Sequence, residues 1–199
     1  MGAVGKAKVD ADGRHIWAVI RCDAGPDRFG SECVDSDLDP VLKFDPDGNV
    51  VESFGSGMFI WPHGIDVDSD GNVWVTDAVS DNNIPAGNDR GHHVIKFSST
   101  GEVLMTLGTP GEQGDGPNHF TSPSDVAVAS NGDVFIADGH NANGNNRVVK
   151  YNSRGEFLMS WGETGYAPGQ FRALHAIARM QPLSEDDLVR ILPEPQNAL

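Results

Sequence analysis

The sequence predicts an all-β protein built from repeated four-stranded units. One observation is a recurring order of polar opener, apolar run, turn with glycine, second apolar run and closing polar residue. The copies occupy residues 9–19, 61–77 and 122–138, and a further copy begins at 173–178. A second observation is a lysine followed by an aromatic residue after each complete copy: 53 residues separate Lys43 from Lys96, and 54 separate Lys96 from Lys150. Four strands at a constant period are typical of the blade of a β-propeller.

Each copy predicts a β-hairpin, because two short apolar runs flank a polar turn in which glycine can adopt positive φ. In each unit, the segment that starts near the lysine supplies two more strands. The resulting units cover about 7–59, 63–120 and 124–171, and their longest loops are 21–40, 80–92 and 141–146. Because these loops interrupt the units at one fixed position, we expect them to cluster on one face, where propellers commonly bind ligands.

Two sets of residues have predicted structural roles. Asp77 and Asp138, which close the second strand of their hairpins, are expected to cap turns through side-chain bonds to the backbone. Large aromatic side chains at equivalent strand positions are expected to pack between blades. This aromatic set is Trp17, Trp74, Phe135 and Trp161.

The repeat stops after Ala178, so the sequence divides into a partial propeller at 1–178 and an aberrant tail at 179–199. Within the tail, Ser184 and Asp187 have capping-box spacing and Pro193 ends the pattern, which predicts a short helix or a disordered segment. Three blades and one strand would leave sheet edges open. We therefore expect a truncated or frame-altered copy of a longer protein; a dimer that closes the ring through the open blade edges and a capping helix are the alternatives.

Composition narrows the function classes. The 199 residues include 38% hydrophobic residues, which suits a soluble globular protein with one core. A formal net charge of −15 argues against nucleic acid and anionic membranes as partners. It is compatible with solvated acidic loops or with attraction of cations. The sequence has no apolar run long enough to span a membrane and no signal-peptide pattern at its start.

The two cysteines, Cys22 and Cys33, lie in the same long polar loop. A disulfide closing this loop is expected in an oxidising compartment, and two free thiols are the alternative. No second cysteine pair or histidine lies at the spacing of a structural zinc site.

Several segments together resemble a known family. They are Trp-Pro-His-Gly-Ile-Asp-Val-Asp-Ser-Asp-Gly-Asn-Val-Trp-Val-Thr-Asp at 61–77, His-Val-Ile-Lys-Phe at 93–97, residues 120–139 and Pro-Gly-Gln-Phe at 168–171. Over residues 5–178 the chain is similar to the NHL-repeat propellers, and among them to the peptidyl-α-hydroxyglycine α-amidating lyases. This resemblance implies a six-bladed propeller that cleaves a carbinolamide into a peptide amide and glyoxylate, with a zinc ion on three histidines and a structural calcium. It also favours an extracytoplasmic or secreted location.

The resemblance assigns metal ligands. His63 and His175 match two zinc histidines, and both open the innermost strand of their repeat, an equivalence visible in the repeat itself. The third histidine would lie in a later blade. Ile65 and, more loosely, Ala7 match backbone-carbonyl calcium ligands, and the calcium aspartate would follow the third histidine. Taken alone, His63 would be a hydrogen-bonded structural histidine.

The resemblance also assigns catalytic residues. Arg21 matches an arginine that holds the substrate carboxylate, although it could instead pair with Asp23 or Asp39. His140 stands where the family has its catalytic tyrosine, so the role of a phenolate does not transfer to it directly. We expect the histidines and Arg21 at one end of the central channel.

The departures from the family pattern favour low activity. The family's disulfide in the third blade is missing, because Ser122 and Asn141 occupy its positions. Two zinc histidines give half of a tetrahedral shell unless His140 turns inward to supply a third, so inefficient lyase activity is expected. The alternative function is a non-catalytic NHL propeller that binds a peptide or protein on its loop face.

Overall fold

A computed structural model describes residues 2–22, 30–80, 84, 86–141 and 143–179. This part of the chain contains twelve β-strands and no helix, which confirms the all-β prediction. The strands are β1 Val4–Val9, β2 Ile16–Ile20, β3 Val41–Phe44, β4 Val50–Phe54, β5 Pro62–Val67, β6 Val73–Asp77, β7 Val94–Phe97, β8 Val103–Leu107, β9 Pro123–Val128, β10 Val134–Asp138, β11 Arg147–Tyr151 and β12 Phe157–Trp161. The predicted helix in the tail lies outside the described residues, as does Asp23.

Three antiparallel sheets, each with four strands in sequence order, form three blades. The first strands β1, β5 and β9 contact one another from blade to blade. Because each sheet places its first strand against those of its neighbours, the blades surround a common axis with these strands innermost. The predicted propeller architecture is therefore confirmed. The first blade begins at Val4, three residues before the predicted start.

The hydrophobic core lies between adjacent blades. Trp17 and Phe54 of the first blade pack on the second, and Phe54 lies 5.0 Å from Phe97 between ring centroids. Trp74 likewise packs against the third blade. The prediction of a core position between blades was wrong for Trp161, whose side chain is 40% exposed, and Phe135 is only half-buried, 6.3 Å from Trp161 between ring centroids. Trp161 lies on the outer face of the third blade, and no other blade in the described part of the chain covers that face.

The two predicted turn caps are confirmed. The Asp77 carboxylate accepts hydrogen bonds from the backbone N–H groups of Ile60, at 2.7 Å, and Trp61, at 2.8 Å. Asp138 accepts from the N–H of Thr121 at 2.8 Å in the third blade. These bonds fix the chain just before β5 and β9, and so they position the residues that open the inner strands.

The fourth copy of the repeat does not form a strand within the described residues. Its segment, residues 173–178, instead contacts β9 at two points. The Ser124 hydroxyl donates to the Leu174 carbonyl at 2.7 Å, and the Ile177 N–H donates to the Asp125 carboxylate at 3.0 Å. These contacts place His175, which lies between Leu174 and Ile177, near the opening of the inner strands.

The loop after the first hairpin carries a disulfide between Cys22 and Cys33. Across the described ranges, no helix has the length and apolar character needed to cross a membrane.

Candidate metal centre

The candidate site lies where the inner strands begin. The pairing of the first two strands is irregular at this point in all three blades, between Val4 and Lys6, between Pro62 and Ile65, and opposite the start of β9. Such bulges re-aim side chains. In β5 the re-aimed residue is His63, and the equivalent residue of β9 is Ser124, which is small. The imidazoles of His63 and His175 therefore approach to 4.9 Å between ring centroids.

His63 is buried, and its Nδ1 lies 2.8 Å from the backbone carbonyl oxygen of Ser124. Because a carbonyl only accepts, this contact places the proton on Nδ1 and leaves a lone pair on Nε2. Burial and the neighbouring His140 lower the pKa of His63 to about 3, so the ring is neutral at pH 7. Nε2 has no hydrogen-bond partner among the described residues.

His140 follows β10 after Gly139, and its backbone N–H donates to the Ser122 carbonyl at 3.0 Å. Its ring centroid lies 4.6 Å from that of His63 and 4.5 Å from that of His175. Burial, aided by repulsion from His175 and Arg21, lowers the pKa of His140 to about 4. This imidazole is therefore also neutral at pH 7.

The three histidines form a group that could hold a metal ion. One ligand nitrogen from each lies within 4.8 Å of the others, and the Nε2 atoms of His140 and His175 are 3.1 Å apart. Nitrogens bound at 2.0–2.1 Å around a tetrahedral zinc ion are about 3.4 Å apart. The buried, unpartnered Nε2 of His63 supplies a further lone pair. The chemistry of this donor set is compatible with zinc held by three protein ligands with one open position. Within the described residues, the third histidine of the group is His140.

Arg21 and Trp61 border the histidines. The Arg21 guanidinium carbon lies 4.2 Å from the centre of the Trp61 ring, and that ring lies 4.8 Å from His140 between centroids. Desolvation lowers the pKa of Arg21, an effect that Glu32 opposes, and the group stays charged at neutral pH. The result is a fixed positive charge beside neutral imidazoles, an arrangement suited to an anionic ligand. Asp39, the alternative partner of Arg21, instead bonds Ser53.

A cavity of about 340 Å³ lies next to the cluster. His63 and His175 line it together with Lys6 and Asp125, whose charged groups are paired at 2.6 Å. Sequence reasoning missed Trp61, Lys6 and Asp125 as residues of the site. For Asp125 a signal was present, because it occupies the position of Gly64 in the preceding blade.

The expected calcium ligands lie in the inner strands, Ala7 in β1 and Ile65 in β5. The described inner strands offer no free carboxylate to join these carbonyls around a calcium ion. Calcium requires six to eight oxygen ligands, often including carboxylates. Both carboxylates of the described inner strands, Asp66 and Asp125, are paired with lysine ammonium groups.

Comparison with known proteins identifies the repeat, because the family model described as "NHL repeat" matches residues 59–83 and 120–151. The chain contains NHL repeats. Both matched segments contain the hairpin formed by the first two strands of a blade. They cover the openings of β5 and β9, from which His63 and Ser124 project into the candidate site.

The NHL-repeat protein is related to amidating enzymes. It is 35% identical over 155 residues to mouse peptidyl-glycine alpha-amidating monooxygenase, covering 74% of this chain and 14% of the relative. It is 32% identical over 138 residues to a probable peptidyl-alpha-hydroxyglycine alpha-amidating lyase of Caenorhabditis elegans, covering 68% and 35%. The chain thus spans about a third or less of these relatives.

A solved structure supports the fold. A Bacteroides thetaiotaomicron protein of unknown function superposes with a TM-score of 0.56 at 15% identity, covering 88% of this chain and 42% of that one. At this identity, the likeness shows the fold alone.

Proposed function

We propose that the protein binds zinc through His63, His140 and His175 and that this centre belongs to a carbon–nitrogen lyase acting on peptidyl-α-hydroxyglycine. The observation that carries the proposal is the convergence of three imidazoles, with ligand nitrogens within 4.8 Å, beside Arg21. The similarity to amidating enzymes supports the substrate class.

Arg21 has a binding role in this proposal. Its guanidinium holds the carboxylate of the α-hydroxyglycine unit through charge-assisted bonds, and the Trp61 ring keeps it in place. In the reaction the hydroxyl proton leaves, its electron pair forms the carbonyl of glyoxylate, the C–N bond breaks, and the amide nitrogen takes up a proton. When bound, zinc supplies Lewis-acid chemistry that acidifies the substrate hydroxyl.

His140 limits the rate of this reaction. As a metal ligand it holds its lone pair on the ion, so it cannot also accept the hydroxyl proton. The phenol that the family resemblance expects at this position is missing. We therefore propose slow turnover, in which solvent or buffer takes the proton.

The second candidate is a non-catalytic propeller that binds peptides by a terminal carboxylate. The pairing of Arg21 with Trp61 favours it, because this pair suits carboxylate recognition whether or not a base is present. We also propose that the chain works in an oxidising compartment, where the disulfide between Cys22 and Cys33 is stable.

Zinc titration by calorimetry and a glyoxylate assay test the proposal. We expect one zinc per chain and binding at least tenfold weaker in His63→Ala. Arg21→Ala should retain zinc but lose substrate binding, and Arg21→Lys should recover part of it. His119→Ala is the control, because His119 lies by Glu112 outside the cluster. Unchanged zinc binding in His63→Ala would refute the centre, and zinc binding without glyoxylate release would favour the second candidate.

A further inference from the structure

The inner strands carry two layers of charged residues around the axis. The third residues of β1, β5 and β9 are Lys6, Gly64 and Asp125. The fifth residues of the same strands are Lys8, Asp66 and Ala127. Each layer thus contains one ammonium, one carboxylate and one small residue.

The lysines of the first blade reach the carboxylates of the other two. Lys6 Nζ lies 2.6 and 2.7 Å from the two carboxylate oxygens of Asp125 in the third blade. Lys8 Nζ lies 2.7 Å from Asp66 Oδ1 as an ion pair. Both carboxylates have side chains that are only 2% exposed, whereas the lysines are about one third exposed. The first blade is therefore tied by charge to each of the other two blades along the axis.

Both carboxylates also accept hydrogen bonds from backbone N–H groups. Asp66 Oδ2 accepts a hydrogen bond from the N–H of Val128 at 2.8 Å. Asp125 accepts from the N–H groups of Val126, at 2.9 Å, and Ile177, at 3.0 Å. A calcium ion that used these two carboxylates would have to displace the donors and would lie beside two ammonium groups, and both requirements oppose its binding.

We propose that Lys6 and Lys8 are the built-in cations of the central channel and take the place of the calcium ion that the family resemblance implies. Their ammonium groups neutralise the two buried carboxylates and hold the first blade to the second and third. The protein therefore needs no calcium for stability. Removal of either lysine leaves a buried carboxylate unpaired, which destabilises the blades and creates an attraction for divalent cations.

The test is thermal unfolding of the 199-residue chain after dialysis against a chelator, with calcium chloride compared with sodium chloride at equal ionic strength. We expect calcium to leave the Tm of the unaltered chain unchanged. Lys6→Met and Lys8→Met should each lower the Tm by about 5 °C or more, and calcium should restore part of the loss. Imidazoles are poor calcium ligands, so the result is independent of the histidine cluster and of the proposed lyase activity.

Two further variants sharpen the test. Arg154→Met is the control, since Arg154 pairs with Glu156 at the surface with side chains 74% and 59% exposed, and its Tm should not change. If Lys8→Met does not fold, the double variant Lys8→Met/Asp66→Asn removes the unpaired charge and should fold without a calcium response. A calcium-dependent rise of several degrees in the unaltered chain would overturn the proposal. Lysine variants that melt like the unaltered chain would also overturn it.

Discussion

Gly64→Ala should damage both the fold and the metal centre, because β5 and β9 touch at this glycine. An added Cβ would lie 2.6 Å from the Asp125 Cα and 2.7 Å from the Ser124 carbonyl oxygen, whereas ordinary contacts begin at 3.4 Å. The strands must separate by several tenths of an ångström. Overpacking of this kind costs about 1–3 kcal/mol.

The displaced carbonyl of Ser124 is also the acceptor for His63 Nδ1. Weakening this bond adds about 1 kcal/mol, so the free energy of unfolding should fall by roughly 2–4 kcal/mol in total. Zinc affinity should fall about tenfold or more, because the bond fixes the tautomer and orientation of His63.

Denaturant unfolding and zinc titration measure the two effects separately. Gly116→Ala is the matched control, because its added Cβ meets only His119 at 3.4 Å, an ordinary contact. If Gly64→Ala is as stable as the Gly116→Ala control and binds zinc equally well, the close approach of β5 and β9 is not required for stability or for zinc binding.

Three further predictions concern the same end of the channel. The metal-free chain should lose stability as pH falls from about 6.5 toward 4, because His63 and His140, with pKa values lowered to about 3 and 4, stay neutral when folded but take up protons when unfolded. In His140→Gln the free energy of unfolding should fall less over this pH range, and a pH dependence equal to that of the parent chain would contradict the prediction. His140→Tyr should raise the rate of glyoxylate release while weakening zinc binding, and a glyoxylate assay showing no gain would argue against a missing phenol as the cause of slow turnover. Cys22 and Cys33 are 11 residues apart, and replacing both by Ser should lower the free energy of unfolding by about 3 kcal/mol. The comparison is with the parent chain under oxidising conditions, and equal stability would contradict this prediction.

The fold followed from the sequence because its determinants are local and repeated. The lysines after each hairpin mark the third strand of every blade, at Lys43, Lys96 and Lys150, and the structure places all three there. Asp77 and Asp138 were predictable as caps because a carboxylate at the end of a hairpin strand bonds nearby backbone N–H groups.

The site was harder to predict because it depends on contacts between blades. Alignment of the repeats indicated that His63 and His175 occupy equivalent positions. His140 lies in a loop, and the repeat pattern does not predict the direction of that loop. The Nε2 atoms of His140 and His175 are 3.1 Å apart. This proximity arises from the turn at Gly139 and from the contacts of residues 173–178 with β9. The exposure of Trp161 has a similar origin, because packing between blades depends on the next blade and not on the residue itself.

The bulge at the opening of each inner strand connects these observations. In a regular strand, successive side chains alternate between the two faces of the sheet, so the face on which a side chain lies is set by its position in the strand. The irregular pairing at His63 frees its ring from the ladder and turns it toward Ser124 of the next blade. The small side chain there leaves room for His140 and His175 to approach. The repeated backbone irregularity, filled by imidazole in one blade and by hydroxyl in the next, therefore positions His63. The turn at Gly139 and the contacts of residues 173–178 with β9 then bring His140 and His175 to it.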